Sequence, residues 1–191
     1  DWTNYKACSK KRKNHQDKEV ESAELNNVDE QQEEDDSIRV DYKFISNNCS
    51  SLFKRIPTIT EWEVDALMLQ ETRLGEVMQI KAGNHMREEG WQCFWGKPTK
   101  TTASVAKAAR GGVAIAVRQG MPAKQAASTF ETAVLRDDAR WEEVVVAVGD
   151  GNKHVHHATI YGYDGAASEA ERYRLNEDLI ARSVLRMLEA G

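Results

Sequence analysis

Four consecutive apolar residues, Ala66-Leu67-Met68-Leu69, run straight into Gln70-Glu71. The run has strand length and lacks the polar alternation of a half-exposed strand, so it must be covered on both faces. A strand covered twice needs helices or a second sheet on each side, which directs the chain to a mixed, layered α/β domain.

The neighbouring segments supply those layers. Residues 40–46 alternate apolar and polar side chains, the mark of a half-buried strand. Residues 50–62 place Ser50-Ser51 ahead of Leu52, Ile56, Ile59 and Trp62 at helical spacing, with Pro57 acceptable only in a first turn or at a break. Residues 75–89 predict a helix whose inner face is Val77, Ile80 and His85 or Met86. Strands follow at 91–95 and, behind the pair Gly111-Gly112, at 113–117. Two β-prone runs, 141–148 and 153–161, flank Gly149-Asp150-Gly151-Asn152, a strong hairpin signal. Ser168-Glu169-Ala170-Glu171 opens a last helix in the manner of a capping box, with Tyr173, Leu175, Leu179, Ile180, Val184, Leu185 and Leu188 as its apolar face. There is no internal repeat.

Composition separates a tail from the domain. Residues 1–37 hold a basic cluster, Lys10-Lys11-Arg12-Lys13, and an acidic stretch from Asp17 to Asp36 with few large apolar side chains. Such a stretch buries too little surface to offset its ordering entropy, so disorder is expected. The basic cluster reads either as a nuclear-import signal or as a plain solvated charge run. Of the net charge of −5, the first forty residues contribute −4, which leaves the domain at 38–191 close to neutral. Phosphate binding would therefore come from a local patch, for which the Lys- and Arg-bearing segment 97–110 is the candidate. No apolar run approaches the roughly 20 residues a bilayer requires. Cys8, Cys49 and Cys93 form no metal-like or disulfide framework, which fits a reducing, intracellular compartment better than secretion. Asp1-Trp2-Thr3 offers neither an initiating Met nor the apolar core of a signal peptide, and reads either as a start left after removal of an upstream segment or as a piece of a longer product.

The chemistry concentrates at strand ends. Glu71 closes the buried strand, where mixed sheets present their ligands, and its carboxylate is a hard oxygen donor suited to Mg²⁺ or Mn²⁺. Asn48 ends the previous strand, and a helix joins the two, so both ends could approach one metal. Each residue also has an ordinary reading, as a solvated strand terminus and a turn asparagine. His154 and His156 share a strand face, with no evident acidic or Cys partner for a metal.

The order Ser46-Asn47-Asn48, then Leu69-Gln70-Glu71-Thr72-Arg73-Leu74, then Gly111-Gly112-Val113-Ala114-Ile115, then Thr159-Ile160-Tyr161 resembles the endonuclease/exonuclease/phosphatase superfamily. The wording is most similar to the endonuclease domains of non-LTR retroelements and to abasic-site endonucleases. The resemblance implies a partial four-layered sandwich of the DNase I-like type, holding the N-terminal part of the domain. It implies phosphodiester hydrolysis with Mg²⁺ or Mn²⁺ and DNA as the partner. By position, Glu71 matches the metal-binding glutamate, Asn48 the asparagine beside that metal, and Tyr161 the tyrosine that contacts the reacting phosphate. Arg73 matches a DNA-backbone contact, and Asp164 stands where the pattern has an asparagine. Ser50 replaces a common Asp, and the later motif that activates water is not found; Gly149-Asp150-Gly151-Asn152 imitates part of it but precedes the tyrosine strand. A non-catalytic member of the fold and a phosphatase acting on inositol phosphates are the alternatives.

Overall fold

Alternation along the strands decides which side chains face which layer. The computed structural model describes residues 41–98, 111–127, 129–137, 139–149, 151–163 and 168–190. The tail, most of the basic segment 97–110, Asp150 and Asp164 lie outside the described residues.

The first sheet has the order β1-β2-β4-β3, built from β1 (Phe44–Asn48), β2 (Ala66–Gln70), β3 (Trp91–Trp95) and β4 (Val113–Arg118). β1 and β2 are parallel and the other pairs antiparallel. The second sheet has the order β5-β6-β7, with β5 (Ala123–Gln125), β6 (Trp141–Val148) and β7 (Lys153–Ile160), all antiparallel. Val148 sits opposite Lys153, so the expected hairpin forms.

Ala66 and Met68 of β2 point between the sheets, where they meet Ile115, Val117, Val144, Val146 and Val148. Leu67 and Leu69 point the other way and pack with Leu52, Ile56, Ile59, Ala82, Met86 and Trp91. The apolar run is thus covered on both faces, as its composition required. That outer cover comes from α1 (Ile56–Ile59) and α2 (Glu76–Glu88). On the far side of the second sheet, α3 (Phe130–Asp137) and α4 (Ala170–Ala190) bring Leu135 and Leu179 against Trp141. The layers are helices, sheet, sheet, helices.

Several expectations change in detail. The helix predicted over 50–62 is a 3-10 turn at Leu52–Lys54 followed by α1, and Pro57 falls in the first turn of α1, where its missing N–H costs nothing. In α2 the predicted inner face is wrong except for Met86: Val77 and Ile80 are exposed, and Gln79 and Ala82 are buried. Gln79 is tolerated inside because its Nε2 donates to Gly96 O at 3.1 Å. In α4 only Leu179 of the predicted apolar face is buried; Tyr173, Leu175, Ile180, Val184, Leu185 and Leu188 are exposed. β5 and α3 were not anticipated. The start of α3 carries a readable signal, since the Thr132 N–H bonds Thr129 Oγ1 at 3.3 Å as a capping threonine should allow. Among the described residues no helix is long and apolar enough to cross a membrane.

Candidate functional site

Three strand ends meet at one edge of the first sheet. Register places Asn48 beside Gln70 across β1 and β2, and Val113 beside Gln70 across β2 and β4. Just beyond these ends the loops are tied by main-chain bonds. Cys49 N–H donates to Gln70 O at 3.0 Å and Leu52 N–H to Thr72 O at 3.1 Å. Thr72 N–H donates to Gly112 O at 3.1 Å and Arg73 N–H to Gly111 O at 2.9 Å.

These bonds hold an unusual backbone. Glu71 and Arg73 have φ of 52° and 54°, and Ser50 has 46°. The left-handed region costs an L-residue about 1–2 kcal/mol. Such strain persists where surrounding bonds over-determine the chain. The glycine pair permits the close approach: Gly112 has φ of 87°, and a Cβ there would lie 2.5 Å from Thr72 Oγ1.

Glu71 lies at the centre. Its Oε1 accepts from the Tyr161 hydroxyl at 2.5 Å, and its Oε2 accepts from Ser50 Oγ and Arg73 Nη2, each at 3.1 Å. The Tyr161 hydrogen bond first, then those of Ser50 and Arg73, hold the carboxyl below its usual value against the opposing pull of burial. Glu71 is therefore ionised at neutral pH. An ionised carboxylate offers about four acceptor positions, so three donors leave room for one more electropositive partner.

Asn48 joins this group through one residue. Its Oδ1 accepts from Ser50 N–H at 3.1 Å, and Ser50 Oγ lies 3.3 Å away. The serine hydroxyl has a single proton, which serves the nearer acceptor, Glu71. Gln70 joins the sheets: its Nε2 lies 2.9 Å from both Ser46 Oγ and Thr159 Oγ1. Thr159 is two residues before Tyr161, and Gln70 is one residue before Glu71, so this link delivers the tyrosine to the glutamate.

Of the residues marked in the sequence, Glu71, Arg73 and Tyr161 are thus in direct contact, Asn48 is bridged to them by Ser50, and Asp164 lies outside the described residues. Ser50, noted above as a helix-start residue and as a departure from the motif, is a partner of both Asn48 and Glu71. Gln70 carried a signal that went unused: it has the same parity as the inward-facing Ala66 and Met68. The histidines resolve differently from expectation. His156 does have an acidic neighbour, with Nδ1 3.0 Å from Glu143 Oε1, and Arg186 shares that carboxylate. Among the described residues no group of three or more His, Cys, Asp or Glu side chains could hold a metal ion.

No protein-family model and no curated protein matches the sequence. Among solved structures, the 3′ phosphatase NExo from Neisseria, bound to a product DNA hairpin, matches with a TM-score of 0.51 at 22% identity. The match covers 74% of this chain and 49% of NExo. The fold is DNase I-like. It is the fold that the motif order implied. The AP endonuclease LMAP from Leishmania major matches with a TM-score of 0.43 at 17% identity, over 64% of this chain and 40% of LMAP. The chain therefore spans about half the length of NExo.

Proposed function

We propose that the Glu71 cluster is the metal- and phosphate-binding part of a divalent-metal-dependent phosphodiesterase site, acting on DNA as a retroelement-type endonuclease. The observation that carries this reading is the contact between Tyr161 and Glu71, which joins the ends of β2 and β7 from opposite sheets. A single ionised carboxylate in a strained loop, ringed by a phenol, a hydroxyl and a guanidinium, suits the holding of a phosphate oxygen beside a cation.

The donor set fits Mg²⁺ or Mn²⁺. Glu71 supplies a carboxylate oxygen and Asn48 an amide oxygen, both hard ligands. Mg²⁺ keeps several waters and is commonly held by one or two carboxylates together with substrate phosphates, so one acidic ligand is enough. The bound cation would supply charge neutralisation at the phosphoryl oxygens. The chain's own residues do the rest of the binding. Tyr161 holds the Glu71 carboxylate with its one proton, Arg73 offers a forked cation matched to phosphate, and the tied main chain keeps both from drifting. By motif order alone, Asp164 is also assigned to substrate binding.

Glu71 is contacted by a phenol, a hydroxyl and a guanidinium rather than by a histidine. Loss of a general base commonly costs about 10²–10⁴ in rate. The chain by itself is accordingly assigned binding of metal and DNA with little turnover. Ser50 in place of an acid, and the lack of a three-ligand metal cluster among the described residues, support a non-catalytic member of the fold as the second reading.

The test compares Mn²⁺ affinity and salt-dependent DNA binding of this chain with those of Glu71→Ala. It then compares hydrolysis of plain DNA, abasic DNA and inositol phosphates by the natural full-length product. Cleavage confined to DNA supports the endonuclease reading; cleavage confined to inositol phosphates replaces it, and metal binding unaffected by Glu71→Ala removes the site.

A further inference from the structure

The chain leaves the ladder of β7 at Ile160, yet Tyr161 must reach Glu71 with its hydroxyl correctly placed. Beyond Ile160 something other than a neighbouring strand has to hold the backbone. Register supplies it: Trp141 pairs with Ile160, so Arg140 stands directly across from Tyr161.

We infer that Arg140 is the positioning residue for Tyr161, gripping the tyrosine's main chain from both sides and thereby aiming its hydroxyl at Glu71. The inference rests on the reading of the Glu71 cluster given above and adds a residue to it. Arg140 O accepts from Tyr161 N–H at 3.0 Å. Arg140 Nη1 donates to Tyr161 O at 3.1 Å and also to Gly162 O. Its guanidinium lies 4.0 Å from the centre of the Tyr163 ring and 5.2 Å from that of Tyr161. One side chain thus replaces the missing strand for two successive carbonyls while stacking on the rings either side of Gly162.

The far end of the same turn is fixed from α4. Tyr163 N–H donates to Asn176 Oδ1 at 2.6 Å, and Asn176 Nδ2 donates to Tyr163 O at 3.2 Å. Held by Arg140 at one end and Asn176 at the other, the segment 161–163 has little freedom to swing the phenol away from Glu71. The grip needs the geometry of arginine: a planar fork that reaches two carbonyls and stacks on rings at once. Lysine offers a point charge and no plane, so it is not an equivalent replacement.

The experiment has two arms. In the first, the Tyr161 ring resonance is followed by NMR in this chain as wild type, Arg140→Ala and Arg140→Lys, with thermal melting as the check on folding. The inference requires the Tyr161 resonance to shift or broaden in both variants while the Tyr42 resonance stays in place. A Tyr161 resonance unchanged in a folded Arg140 variant overturns it. In the second, DNA nicking by the full-length product is measured for Arg140→Lys, Tyr161→Phe and the double variant. A misplacement of about 1 Å costs on the order of 10²-fold in rate. Arg140→Lys should therefore lose roughly that much in kcat with KM little changed, and should add no further loss to Tyr161→Phe. Additive losses overturn the inference, because a residue acting through Tyr161 cannot matter once the hydroxyl is gone. If no protein nicks DNA, the nuclease reading fails and the NMR arm still decides the role of Arg140.

Discussion

The Tyr161 hydroxyl and the Glu71 carboxylate, ninety positions apart in sequence, meet at 2.5 Å across the gap between the two sheets. A charge-assisted bond of this kind contributes more than a neutral one, typically about 1.5–3 kcal/mol. Tyr161→Phe is expected to lower stability by about 1–2 kcal/mol in urea unfolding, since the phenol is only half-buried. In the full-length product it should cut nicking by on the order of 10²-fold, because the Glu71 carboxylate loses the donor that holds it in place.

The two glycines ahead of β4 are not equivalent. An alanine at either position takes on a left-handed backbone, which costs about 1–2 kcal/mol. At Gly111 the added Cβ would meet the Tyr161 ring at an ordinary 3.4 Å, whereas at Gly112 it would strike Thr72 Oγ1 at 2.5 Å. Gly112→Ala should therefore be the more destabilising, by at least about 2 kcal/mol. It should also loosen the loop that carries Glu71, readable as faster amide exchange at Thr72 and Arg73.

Glu143 is fully buried under α4, where Arg186 reaches it with Nε at 3.0 Å and Nη2 at 3.2 Å. Removing one member of a buried pair leaves an uncompensated charge and typically costs about 3–5 kcal/mol. Arg186→Ala is expected to fall in that range by urea unfolding. The double replacement Glu143→Leu with Arg186→Met should recover most of the loss, because a packed apolar pair carries no desolvation penalty.

His157 gives the fold a dependence on pH. The imidazole is buried against Tyr42, whose Oη lies 2.7 Å from Nε2, and burial first, then the nearby His156, lowers its affinity for a proton. The unfolded chain then takes up a proton near pH 6.5 while the folded chain does not, so stability rises with pH through that window. It is fully present above about pH 6.5 and declines as pH falls from there towards the lowered folded value. His157→Gln should flatten this slope, seen as the difference between wild-type and variant melting temperatures from pH 7 to pH 5.

What could be read in advance follows the physics of each element. Ala66–Leu69 announced a doubly covered strand because no polar residue interrupts it, and alternation does send Leu67 and Leu69 to one layer and Ala66 and Met68 to the other. The helix faces were less legible. Val77 and Ile80 look like a core stripe, but α2 turns Ala82 and Met86 inward, where a small residue allows close packing on the sheet. At the site, Glu71 and Tyr161 were marked by motif order, whereas Arg140 was not. Its role depends on register between β6 and β7 and on a turn that no local pattern specifies. Ser50 looked like a loss relative to the expected acid, yet the structure uses it as the bridge from Asn48 to Glu71.

The most direct test of the central claim is Mg²⁺-dependent nicking of duplex DNA by the natural full-length product, as wild type and as Glu71→Ala, with both proteins shown to be folded. The account expects nicking that disappears on removing Mg²⁺ and falls by several orders of magnitude with Glu71→Ala. Undiminished nicking by the variant, or none by the wild type, would contradict it.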